Sequence, residues 1–141
     1  MKLLLDTCVV SELANRRPNV QVVDWLRRQN PKSLFLSFVT IGELEKGIAR
    51  RGGDSRAIAL GKWLRNDILA AFADRILPVD REVALAWGKI CGEAERAGRK
   101  RPAVDALIAA TALVHGLKLV TRNIDDMIGM GVPLFNPFSQ D

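Results

Sequence analysis

Histidine and cysteine are nearly missing from this chain, which has one histidine, His115, and two cysteines, Cys8 and Cys91, in 141 residues. A lone histidine weighs against a zinc centre and against histidine-based nuclease chemistry. Two cysteines without CxxC spacing form no disulfide framework, so both are expected as reduced thiols, in keeping with a cytoplasmic protein. No apolar stretch approaches the ~18 residues needed to cross a bilayer, and the opening MKLLLD lacks the long apolar region of a signal peptide. A soluble protein with no membrane partner is the expectation. Internal repeats, low-complexity tracts and linkers are also missing, and at this length one compact domain over residues 1–141 can bury a core without staples.

What is present leans basic. Lys plus Arg number 21 against 16 Asp plus Glu, a net charge of +5 that favours an anionic partner such as nucleic acid. The basic residues cluster at Arg16 and Arg17, at Arg27, Arg28 and Lys32, at Arg50 and Arg51, and across 99–101. Each cluster reads equally as solvated surface.

The most informative stretch is MKLLLDTCVVSEL at the start. Residues 2–5 read as a buried strand, and Val9, Val10 and Leu13 follow at helical spacing, the pattern of a central parallel strand feeding a helix. Asp6 then stands at the strand's carboxyl end, the rim where open α/β sheets bind ligands. It is either a site residue or the cap of the next helix.

Further along, 20–28 is an amphipathic helix, and 34–36 is a second strand after which Ser37 or Thr40 can cap a helix running to about Arg50. On that helix Ile41, Leu44 and Ile48 form the buried stripe. Glu43 lies off it, facing either solvent, where Lys46 can pair with it, or a cleft. Residues 55–72 read as one long helix with Ile58, Leu64, Ile68 and Leu69 apolar, and Trp63 as core or partner anchor. A third strand at 76–79 precedes a helix starting at Asp80 and ending at Gly98, with Trp87, Ile90 and Cys91 inward.

The stretch RPAVDALIAATALVHGL, 101–117, suits a helix with Pro102 in its first turn and Gly116 at its end. It is apolar almost all round, so it is expected to be buried, and Asp105 is its lone acid beyond Val104. That carboxylate either complements the helix N-terminus or is matched by a cation. Residues 118–121 form a fourth strand that again runs into polar residues, Thr121 and then Asp125 and Asp126. Residues 134–135 suggest a last edge strand.

Asp6, Glu43, Asp105 and Asp126 thus stand at comparable places. Converging carboxylates repel, and such a cluster is stable mainly around a divalent cation. Hard oxygen donors without nearby histidine or cysteine indicate Mg2+ or Mn2+. That chemistry suits phosphodiester hydrolysis by metal-activated water, with basic clusters holding a nucleic-acid backbone. Spacing alone leaves open whether the acids meet.

The chain resembles the PIN-domain ribonucleases of the VapC toxin type over nearly its whole length. The likeness rests on LLLDTCVVSEL at 3–13, TIGELEKGI at 40–48, DALIAATA at 105–112 and LVTRNIDDM at 119–127. It implies a three-layer α/β/α domain with a short, mostly parallel sheet. The function it implies is a Mg2+- or Mn2+-dependent endoribonuclease, the toxin of a toxin–antitoxin pair. By resemblance, Asp6 and Asp105 ligate the metal, Glu43 and Asp126 complete the site directly or through water, and Thr121 hydrogen-bonds within it. The resemblance also implies an RNA substrate, a homodimer, and a cognate antitoxin packed along a groove built partly by the early helices, for which residues 20–28 and 55–72 with Trp63 are candidates. Two departures stand out. Cys8 occupies a place commonly held by asparagine, and Asp125 adjoins Asp126, the latter matching the family position by its distance from Thr121. Two rivals remain on the sequence, a non-catalytic PIN-like module that binds a partner or RNA, and a phosphoacceptor receiver domain.

Overall fold

The computed structural model describes residues 1–139, so the last positions of the expected 1–141 domain lie outside the described residues. Five short strands form one sheet: β1 (Leu3–Leu5), β2 (Leu34–Ser37), β3 (Ile76–Leu77), β4 (Lys118–Val120) and β5 (Leu134–Phe135). Their order is β3-β2-β1-β4-β5, and every pairing is parallel. The register aligns Leu5 with Val120 and Ser37 with Leu77. All carboxyl ends therefore open on one rim. The chain builds outward from β1 to β3 on one side and places β4 and β5 on the other, so the sheet's switch point falls between β1 and β4.

Strand alternation divides the core in two. Leu3 and Leu5 of β1, Leu34 and Leu36 of β2 and Val120 of β4 pack on one face. Leu4 and Leu119 face the opposite side with Phe35 and Leu134 against them. A parallel sheet needs both faces covered, which is why these strands are apolar at every position but Ser37 and Lys118, each at a strand end. Leu4, Leu5 and Leu119 are wholly buried, each contributing on the order of 1.5–3 kcal/mol by leaving water.

Helices α1 (Thr7–Ser11), α2 (Val20–Arg27), α3 (Phe38–Ala49) and α4 (Ser55–Lys62) follow in the first half. Val9, Val10, Val22, Leu26 and Leu44 pack the first three of them on the first face, and α4 lies against α3. Ser37 caps α3 by accepting the Val39 N–H at 3.0 Å. Helix α4 continues through a wider π turn, Trp63–Ile68, into the single turn α5, Leu69–Ala71. Helix α6 (Arg81–Arg96) carries Asp80 as its cap, and α7 (Ala103–His115) ends on Gly116 at φ 65°, ψ 35°. With the short α8 (Ile124–Met127), α6 and α7 cover the second face through Trp87, Ile90, Cys91, Ile108, Ala109 and Met127. The result is three-layered α/β/α, as expected, and no helix among the described residues is long and apolar enough to cross a membrane.

Three local readings are corrected. Residues 55–72 are not one regular helix, a π turn interrupting them at Trp63–Ile68, and Ile58 is 57% exposed while Ala57 is buried, because Ala57, two turns before Leu64, shares the inward face and Ile58 does not. Pro102 is the residue before α7, with extended ψ of 132°, and Ala103 starts the helix. The third strand stops at Leu77, since Pro78 has no N–H to continue a ladder.

Candidate metal centre

The site grows from the end of β1. Asp6 extends the ladder by donating its N–H to the Val120 carbonyl at 2.9 Å, which drives its side chain into the seam between β1 and β4, where it is 3% exposed. Burying a carboxylate demands donors. The Thr7 N–H reaches Oδ1 at 2.8 Å, and the Thr121 hydroxyl donates to Oδ2 at 2.6 Å. The Cys8 thiol adds a weaker contact to Oδ2 at 3.7 Å. Asp6 is thus both the cap of α1 and the centre of the cluster, two roles that sequence left as alternatives.

Thr121 is wholly buried and also accepts the Asn123 N–H at 2.9 Å, so its hydroxyl is oriented toward Asp6 and pins the loop leading to α8. Thr7 projects the other way. Its hydroxyl donates to Oε1 of Glu43 and lies 3.2 Å from Oγ1 of Thr40, one turn earlier on α3. Glu43 therefore faces the cleft. The surface pair with Lys46 is not formed, the ion pairs among the described residues lying elsewhere.

Asp105 sits in the first turn of α7, partly buried. Burial first, and then the charges of Asp6, Asp126 and Glu43, raise its carboxyl to about 6. Those charges come from the same rim of the sheet. Asp126, exposed on α8, contributes to the rise and Asp125 does not. Burial, then the Asp6 charge, push the Cys8 thiol up to about 11, so Cys8 stays protonated and acts as a donor while its sulfur accepts the Arg122 N–H at 3.5 Å.

Among the described residues no three Asp, Glu, His or Cys side chains stand close enough together to grip one ion, although their charges are felt at Asp105. The donor set is carboxylate and hydroxyl oxygen, which suits a hard divalent ion. Residues that sequence reasoning passed over are Thr7 and Thr40. The signal lay in their places, directly after Asp6 and one helical turn before Glu43.

A cleft of about 420 Å³ opens beside Glu43, lined by Thr7, Ser11, Arg50, Arg51, Arg56 and Trp63 among others. Trp63 thus faces both the core and the cleft. Helix α2 does not line it; its exposed residues border a separate surface hollow.

A parallel sheet in this order, with carboxylates gathered at its switch point and helices on both faces, defines a PIN domain. The PIN domain family matches residues 3–128, and the chain belongs to that family. Among individual relatives, it is 38% identical over 136 residues to the toxin FitB of Neisseria gonorrhoeae, covering 96% of this chain and 98% of FitB. It is 32% identical over 136 residues to the VapC ribonuclease Y4jK of Sinorhizobium fredii, covering 96% of this chain and 97% of that protein. A solved structure of FitAB bound to an IR36 DNA fragment contains a chain that superposes with a TM-score of 0.91 at 34% identity, over 99% of this chain and 97% of that one.

Proposed function

We propose that the protein is a Mg2+- or Mn2+-dependent endoribonuclease, the toxin of a toxin–antitoxin pair, acting as a one-domain cytoplasmic protein. The observation that carries the reading is the hydrogen-bonded rim, where Thr121 and Thr7 donate to Asp6 and the Thr7 hydroxyl donates to Glu43 on α3, and the raised carboxyl of Asp105 agrees with it. Kinship with a toxin and with a ribonuclease supports the activity. A divalent cation held by these acids supplies neutralising charge on the scissile phosphate and a water of lowered pKa.

The chain's own residues prepare that chemistry. Thr121, Thr7 and Cys8 donate to Asp6 and fix it in a buried position, and the Thr7 hydroxyl orients Glu43. Asp6 and Asp105 are the direct ligands in this reading, with Glu43 and Asp126 completing the set and Thr121 orienting it. Lys46 and Arg50 line the hollow on the far side of Glu43, where they would hold RNA phosphates. The cleft beside Trp63 is the place for an antitoxin segment, and its Arg50, Arg51 and Arg56 favour acidic residues there. A homodimer completes the expected assembly.

The test is cleavage of total cellular RNA by antitoxin-free protein with Mn2+ or Mg2+, with chelator, and with Asp6→Asn. Discrete products that disappear with chelator and with the variant are expected. Equal products from the variant, or Mn2+-independent cleavage, would sink the reading. Failure to bind Mn2+ at all would favour a non-catalytic binding module.

A further inference from the structure

Of the acidic segments, the one carrying Asp126 has the weakest local support. Helix α8 is 4 residues long and its preceding Asn123 makes no side-chain cap bond, while Asp126 itself is exposed. Its far end is held from elsewhere in the chain. Arg101, in the link between α6 and α7, donates Nη1 to the Asp126 carbonyl at 3.1 Å and Nη2 to the Ile128 carbonyl at 2.7 Å. These are carbonyls that a helix terminus leaves without internal partners. The turn beyond is shaped to admit the guanidinium. Gly129 has φ +87°, and a Cβ there would stand 2.9 Å from Arg101 Nη2.

Arg101 forms no ion pair among the described residues. Its fork grips main chain and leaves the Asp126 carboxylate free, so its role there is geometric. Because Pro102 follows directly and leads into α7, the same residue lies at the entry to the turn that carries Asp105. One side chain therefore ties the start of α7 to the end of α8.

We propose that Arg101 is a positioning residue that sets the span between Asp126 and Asp105, and so the closure of the acidic site on its cation. The role rests on the four-carboxylate reading above. A basic cluster that sequence offers as a nucleic-acid surface is in this part committed to the site's own scaffold.

The test is Mn2+ binding by calorimetry, well below each melting temperature, for wild type, Arg101→Met, Arg101→Lys, Asp126→Asn and the Arg101→Met/Asp126→Asn pair, with hydrogen exchange of 126–130 in metal-free protein. Arg101→Met should weaken Mn2+ binding by about tenfold or more, the range seen when groups orienting metal ligands are removed. Exchange at 126–130 should quicken. Arg101→Lys should restore little, since an ammonium cannot form the two-carbonyl fork. The double variant should bind no more weakly than Asp126→Asn alone, because both changes act through one carboxylate. Unchanged Mn2+ affinity in Arg101→Met, even with a lowered melting temperature, would reduce Arg101 to a structural brace and overturn the role. An additive loss in the pair, or full recovery by lysine, would overturn it too. If wild type itself binds no Mn2+, the acidic-site reading fails in the parent protein and this role falls with it, a result distinct from any failure confined to the variants.

Discussion

Asp6 and Asp105 are both carboxylates at the sheet rim, yet their surroundings differ. Asp6 is buried but surrounded by donors, Thr7 N–H and the Thr121 hydroxyl foremost. Asp105 is less buried, and burial first, then the charges of Asp6, Asp126 and Glu43, raise its carboxyl to about 6 from an ordinary 3.8. A folded-state value above the unfolded one means that the native chain holds the extra proton between those limits, so metal-free stability falls as pH rises through that window. Below about 4 the cost is absent, and above about 6 it is fully present. Asp105→Asn removes it. In chelator at pH 7 that variant should be more stable than wild type by on the order of 1–2 kcal/mol, the partly wet side chain lowering the effect, and the advantage should vanish near pH 4. Paired melting curves against pH check this, and a constant offset between the two proteins would mean that the titration of Asp105 is not the cause.

At the scale of elements, the strands and most helices were legible because each carries one clear period. Strand β1, helix α3 and helix α6 fall within a residue or two of their sequence assignments, since apolar runs and Asp or Ser caps mark their ends. The 55–72 stretch was misread for a definite reason. Its apolar residues do not all share a face: at 3.6 residues per turn the buried Ala57, Leu64, Ile68 and Phe72 fall together and Ile58 lies off that arc, while the π turn at Trp63–Ile68 is a break that residue type does not announce. The site was legible at Asp6, Asp105 and Thr121, which adjoin strands or a buried helix. Glu43 was ambiguous because its partner, the Thr7 hydroxyl, comes from 36 positions away. Gly116 was read as a helix end, and its left-handed backbone with open space around the Cβ position shows why. Gly116→Ala should therefore cost about 1–2 kcal/mol from backbone strain alone. Urea unfolding measures it, and a neutral result would show that the α7 terminus relaxes.

The whole molecule explains why so small a sheet can carry a demanding site. Its acids arrive from residues 6, 43, 105 and 126 of the sequence, so only the completed fold gathers them, and the unfolded chain offers no comparable cluster. A cation that needs several of them binds the native state alone and must stabilise it by mass action. At a free Mn2+ concentration 100 times the dissociation constant, the gain is about 2.7 kcal/mol, which for a chain of this size corresponds to roughly 5–11 °C in melting temperature. The repulsion that raises Asp105 is relieved by the same ion, so the shift should be largest above pH 6 and shrink as the pH falls toward 4, where protons compete for the carboxylates. Asp6→Asn and Asp105→Asn should each abolish most of it, because each removes one of the two direct ligands of the proposed site. Differential scanning calorimetry with Mn2+ against chelator at pH 7.5 and pH 5 decides the matter. A shift of equal size in wild type and both variants would place the ion on the general surface and detach it from the acidic rim.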